Sequence, residues 1–190
     1  MNRSLISSLV GITAILAAPQ LLKAQGQGFG LEVNAGYDMM TGEDFDAFDN
    51  ELGFEAIGSY AWVSGWELGI GAGFSDYELN GAASVDQLNV FGEGRYRFGT
   101  PASLTPHVHP FVQGRIGYTR LDLANDASQS GLLVGAGGGV EYWISDEVAV
   151  VGDGVVHFLS YGDSDEVPVK RDGAEVSLRG GLKVRFPTSR

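Results

Sequence analysis

The segment 174–186 alternates without a break. Val176, Leu178, Leu182, Val184 and Phe186 fall on one face, with Ala174 and Gly180 between them. Glu175, Arg179, Lys183 and Arg185 fall on the other, with Ser177 and Gly181. A period of two is the signature of a strand, since successive side chains point to opposite faces. Two environments suit such a strand. In a soluble sheet the apolar face enters a core and the charges meet water. In a small transmembrane barrel the apolar face meets lipid and the charges line a polar interior.

The rest of the chain favours the barrel. Eight segments alternate in this way: 29–41, 52–63, 66–78, 86–98, 109–122, 132–144, 148–161 and 174–186. The connections at 64–65 and 145–147 are short, with 99–108 a longer exception on that side. Those at 42–51, 79–85, 123–131 and 162–172 are longer and polar. Short turns at one end and long loops at the other describe an outer-membrane barrel with both termini in the periplasm. Aromatic residues gather near the strand ends, as two interfacial girdles would require. Trp62, Trp66, Tyr96, Phe98, Tyr142, Trp143 and Phe186 lie on the short-turn side. Tyr37, Phe74, Tyr77, Tyr118 and Tyr161 lie on the long-loop side. The chain holds 29 glycines, many inside strands as in residues 69–73 and 135–139, where they suit tight curvature.

The N-terminus agrees. Arg3 precedes an apolar stretch over 5–18, and Ala24 offers a small residue for cleavage. Residues 1–24 read as a secretory signal peptide, which leaves 25–190 as one domain. There are no cysteines, so the exported chain carries no disulfide. Beyond the signal, no apolar run approaches the roughly 20 residues of a spanning helix. A chain of this kind crosses a membrane only as a closed barrel.

Charge separates the interior from the rim. The face opposite the lipid-like one carries the acids Glu32, Glu55, Glu67, Glu93, Glu141, Asp153 and Glu175. It also carries the bases Arg95, Arg97, Arg115, Arg179, Lys183 and Arg185. Such a set is tolerable in a narrow interior only if its members pair. Eight strands leave just enough room for side chains, so a plug of salt bridges is expected rather than a pore. The chain's net charge of −12 lies almost wholly outside this set. Acids crowd the long-loop end, with Glu43, Asp44, Asp46 and Asp49 in the first loop and Asp163, Asp165 and Glu166 in the fourth; Asp38 is counted with this rim. That excludes nucleic acid as a partner. Weak divalent-cation binding is expected there, without a calcium-loop motif, because the required glycine is missing.

Taken together, the chain resembles the small eight-stranded outer-membrane barrels of the OmpA-transmembrane-domain, OmpX and opacity-protein type, the porin family in the broad sense. The resemblance rests on Pro110-Phe111-Val112-Gln113-Gly114-Arg115-Ile116-Gly117-Tyr118, on Gly137-Gly138-Gly139-Val140-Glu141-Tyr142-Trp143-Ile144, and on the closing strand. It implies an all-β fold: a single closed, antiparallel, up-and-down transmembrane barrel. It also implies that Arg179, Gly181, Val184 and Phe186 form the C-terminal signal read by the barrel-assembly machinery. The chain departs from the pattern in continuing through Pro187-Thr188-Ser189-Arg190. The expected partners are outer-membrane lipid, lipopolysaccharide and that machinery, and the expected state is a monomer.

Other chemistry is thinner. His107 and His109 form an H-x-H pair, which alone does not make a metal site. His157 and Ser160, with Asp153 or Glu141 nearby, could suggest a hydrolase triad, and lipid A-modifying barrels exist in this size class. Positions 157 and 160 differ in parity, however, and so point to opposite faces of a strand. The expectation is a non-enzymatic protein of the cell envelope without a cofactor, structural or surface-interacting. A small-solute channel is the alternative. A lipid A-modifying enzyme and a soluble lipocalin-like binder follow; the latter would need an interior less charged than this one.

Overall fold

Alternation becomes closure in the computed structural model, which describes residues 27–42, 51–79, 83–98, 108–122, 127–162 and 171–187. The strands are β1 (Gly28–Thr41), β2 (Glu51–Ala61), β3 (Trp66–Leu79), β4 (Ala83–Arg97), β5 (Val108–Asp122), β6 (Ser128–Trp143), β7 (Val148–Tyr161) and β8 (Arg171–Pro187). Each pairs antiparallel with the next. β8 returns to β1, from Gly28↔Pro187 to Thr41↔Ala174, and closes the barrel. Closure leaves no edge strand with unpaired backbone groups, which a barrel in lipid cannot tolerate. Among the described residues no helix is long and apolar enough to cross a membrane. The proposed signal peptide lies outside the described residues.

Three strands extend by three or more residues beyond the alternating segments at the long-loop end. β4 starts at Ala83, β6 at Ser128 and β8 at Arg171. Ser128, Gln129 and Ser130 pair with Asp122, Leu121 and Arg120. Backbone ladders continue there although the polar residues interrupt the apolar pattern that marks a strand in sequence.

The turn between β2 and β3 shows how sequence fixes geometry locally. Trp62 N–H donates to Trp66 O at 2.8 Å, and Gly65 N–H to Trp62 O at 3.1 Å. Gly65 has φ 91°, in the left-handed region where glycine is unstrained. This is the tight hairpin anticipated at 64–65.

The outer surface is apolar over the middle of every strand. Leu31, Leu68, Ile70, Val90, Ile116, Leu132, Val150, Leu178 and Leu182 all project outward and are exposed. Ile70, at 76% exposure, would be a severe burden in water. In lipid it is the expected surface. At the short-turn end the outward aromatics touch both across strands and along them. Tyr60 meets Phe29 and Trp62 at ring centroid distances of 5.0 Å, and Tyr96 meets Trp66 at 5.0 Å and Phe98 at 5.4 Å. Three residues assigned to the girdles do not belong to them. Trp143, Tyr77 and Tyr161 are buried inside the barrel. Their place along the strand suits a girdle, but their parity is that of Glu141, Ser75 and Leu159, which face inward.

Candidate functional site

The lumen is the densest chemistry in the molecule. It is built from inward residues of all eight strands. Glycines on the same face leave the volume that long side chains fill. On β6, a Cβ at Gly139 would collide with Gly152 O and stand 2.7 Å from the Phe111 ring. The Phe111 ring in turn lies under the Arg95 guanidinium at 4.2 Å, and the Phe91 ring under that of Arg115 at 4.5 Å. Curvature alone therefore does not explain the glycine-rich strands. Several glycines face inward and make room for arginine.

The charges form two tiers. Nearer the short turns, Arg95 of β4 reaches Glu32 of β1 at 2.9 Å and Glu141 of β6 at 3.3 Å. Lys183 of β8 contacts Glu67 of β3 at 2.6 Å, Glu141 at 2.8 Å and Glu32 at 3.3 Å. The Trp143 indole N–H donates to Glu141 Oε2 at 3.1 Å. Arg97 and Arg185 complete this tier through longer contacts with Glu67 and Glu141. In the middle, Arg115 of β5 reaches Glu55 of β2 at 2.7 Å and Glu93 of β4 at 2.8 Å. Arg179 of β8 pairs with Glu55 and, at 2.8 Å, with Asp38 of β1. Gln113 Nε2 donates to Asp153 Oδ2 at 2.7 Å, and Asn34 Nδ2 to Glu32 Oε1 and Glu55 Oε1.

Asp38 belongs to the lumen and not, as its place beside the first loop suggested, to the acidic outer rim. It is buried, bonded to Arg179 and to Ser75 Oγ at 2.5 Å. Its parity with Glu32 and Asn34 carries the signal. The interior therefore holds one acid more than the alternating sets alone suggest.

A third tier toward the long loops is largely apolar. Met40, Ile57, Tyr77, Val85, Phe91, Leu121, Leu133, Leu159 and Tyr161 form one buried apolar cluster. Beside it, Gln87 Nε2 donates to Thr119 Oγ1 and Tyr161 OH, each at 3.2 Å. Glu175 accepts from Ser177 Oγ at 3.0 Å and pairs with His157 Nδ1 at 3.0 Å. Charge on the inward face does not reveal this apolar tier. Its trace in the sequence is the apolar residues on the inward parity, Met40, Ile57, Val85, Phe91, Leu121, Leu133 and Leu159.

The triad candidates separate. His157 is buried in the lumen, whereas Ser160 is exposed on the outer face. Of the H-x-H pair, His109 is the second residue of β5 and half-buried, and His107 lies outside the described residues. The loop acids Glu43, Asp44, Asp46, Asp49, Asp163, Asp165 and Glu166 also lie outside them. Among the described residues no group of three or more His, Cys, Asp or Glu is placed to hold a metal ion. The four residues of the assembly pattern divide by face. Arg179 and Gly181 point inward, where a Cβ at Gly181 would collide with Val33 O. Val184 and Phe186 point outward.

Comparison with known proteins defines the fold. No protein-family model matches the chain, and no curated protein matches it. Solved structures do. The chain is similar to Neisserial surface protein A, with a TM-score of 0.70 and 14% identity over 86% of this chain and 100% of that one. It is also similar to a major outer membrane protein from Thermus thermophilus, with a TM-score of 0.52 and 15% identity over 84% of this chain and 99% of that one. The N-terminal β-barrel domain of Pseudomonas aeruginosa OprF gives 0.50 and 18% identity over 85% and 100%. The fold is that of the small eight-stranded outer-membrane β-barrels.

Proposed function

We propose that this chain is a non-enzymatic outer-membrane protein whose lumen is a structural plug and whose outer loops meet the surroundings. The observation that carries the reading is the direction of the lumen's ion pairs. Arg95–Glu32, Arg115–Glu55 and Lys183–Glu67 each join strands three apart in a ring of eight, so they cross the lumen. A side-chain network of this kind obstructs the only path a solute could take. The apolar tier above it adds a second obstruction.

The same reading places the short turns and both termini in the periplasm and the long loops outside, after removal of residues 1–24. Val184 and Phe186 then face outward where assembly machinery can read them. The loop acids stand beside lipopolysaccharide, where divalent cations relieve repulsion between neighbouring carboxylates and phosphates. The protein acts as a monomer.

Planar-bilayer recording of the folded protein tests the plug. Only leak-level current is expected. A steady, reproducible open level would replace this reading with a small-solute channel. Fractionation of cells, with gels of unheated and heated samples, tests the location; a chain that stays soluble and shows no heat-dependent mobility would refute it.

A further inference from the structure

The tier nearest the short turns ends in two arginines that its acids do not satisfy. Arg97 and Arg185 both approach one carboxylate oxygen, Glu67 Oε2, at 3.9 and 3.5 Å. Arg97 also lies 3.8 Å from Glu141 Oε2. These separations are too long for strong hydrogen bonds. The acids make their short contacts deeper in the barrel, with Lys183 at 2.6 and 2.8 Å. As a result Arg97 Nε, Arg185 Nε and Arg185 Nη2 are buried without a hydrogen-bond acceptor. Both residues are more than nine-tenths buried, at 8% and 6% exposure. Leaving charged donors unmatched in such a place is costly.

Charge reinforces the point. Lys183, Arg95, Arg97 and Arg185 face Glu32, Glu67 and Glu141 at this end, and Glu93, which also touches Arg95, is shared with Arg115. The surplus is positive, and its outermost members are the two guanidiniums. Arg185 is held over the Trp143 ring, 4.4 Å from its centroid, which restricts the orientation of its donors. The mouth they line is the one where Gly28 pairs with Pro187.

We propose that this mouth is an oxyanion site, in which Arg97 and Arg185 together bind the phosphate or carboxylate group of a small soluble molecule. Planar guanidinium forks match those groups, and charge-assisted hydrogen bonds to them are strong. Lys183 holds Glu67 and Glu141 from below, and Arg95 also holds Glu141, which offsets their repulsion of an anion. Glu67 Oε2, itself buried without a hydrogen-bond partner, is the group the anion competes with for the two guanidiniums. The inference stands apart from the plug, since the two guanidiniums lie at one end of the lumen and binding there requires no path through the barrel.

The test is a titration of the folded full-length protein in neutral detergent. The Trp143 indole N–H and the Arg185 Nε–H are followed by NMR at constant ionic strength. Inorganic phosphate is one arm, acetate the second and chloride the control. Saturable shifts confined to these signals are expected with phosphate or acetate but not with chloride, and the stronger arm identifies the class of group. Arg185→Gln and Arg97→Gln should each raise the half-saturating concentration by roughly tenfold or more. Arg185→Lys, which keeps the charge and loses the fork, should weaken binding less. Folding of each variant is checked by heat-dependent gel mobility, and the wild-type titration decides even if a variant fails to fold. Equal shifts in all three salts, or no saturable shift with either oxyanion, would overturn the proposal.

Discussion

Asp153 and Arg179 stand directly opposite each other on β7 and β8, yet they do not pair. Arg179 turns to Asp38 and Glu55, while Asp153 accepts from Gln113 and lies 3.7 Å from Arg115. Glu67 and Arg95 are likewise opposite on β3 and β4, and Arg95 passes over Glu67 for Glu32, Glu93 and Glu141. Cross-strand rungs would stabilise the wall. Some rungs do pair, as Glu93 with Arg115 at 2.8 Å and Glu32 with Lys183 at 3.3 Å. Bonds across the lumen, however, tie distant walls together and fill the space between them, so Arg95, Arg115, Arg179 and Lys183 each serve two or more acids.

Arg115→Ala is therefore expected to cost about 3–5 kcal/mol, because Glu55, Glu93 and Asp153 would lose a shared partner while staying buried. Arg120→Ala is the contrast. Arg120 pairs with Asp122 at 2.8 Å, but both side chains are about half exposed. That change should cost less than about 1 kcal/mol. Denaturant unfolding of both variants in one bilayer system checks the difference. Similar losses would mean that the lumen is well hydrated.

This contrast marks what could be read from sequence. Period-two alternation over eight segments carried the strands, their order and the closed barrel, because a lipid-facing strand leaves little freedom in its pattern. Parity alone also places Glu93, Arg115 and Lys183 on the inward face. Partners were not legible, since they depend on register and on which rotamer spans the lumen, as Asp153 and Arg179 demonstrate. Tyr77, Tyr161 and Trp143 have the position along the strand of girdle residues but the parity of the lumen, and parity decides where they lie. Asp38 likewise follows parity into the lumen, although it lies close to a loop rich in acids.

The two faces should respond oppositely to charge. Ile70 lies near the middle of β3 on the outer face, where it is largely exposed. Ile70→Arg should lower stability by about 2–4 kcal/mol if that face is in hydrocarbon. In a soluble barrel the same change would be neutral or favourable. Bilayer unfolding against wild type decides, and an unchanged midpoint would remove lipid from that face.

Gly139→Val should prevent assembly rather than merely weaken it. The added side chain meets Gly152 O and the Phe111 ring, and the first of these is backbone in the ladder. No rotamer change relieves a collision with backbone. The expected outcome is loss of the heat-dependent gel shift and degradation of the unassembled chain. Normal yield of folded protein would mean that β6 and β7 separate more easily than this register allows.

Removing 179–186 would not by itself test recognition of the C-terminal strand. Those residues pair with both β1 and β7, so their loss opens the barrel whatever the machinery reads. Arg179 and Gly181 are equally unsuitable, being committed to the lumen. Phe186 is the informative position. It faces outward opposite Phe29 and is 43% exposed, and its backbone pairing survives truncation of the ring. Phe186→Ala should therefore leave unassisted refolding into detergent and the unfolding midpoint nearly unchanged. In cells the same variant should reach the heat-modifiable form more slowly, as read by pulse-chase labelling. Equal slowing in detergent and in cells would assign Phe186 to packing alone, and no slowing in either would remove it from the assembly signal.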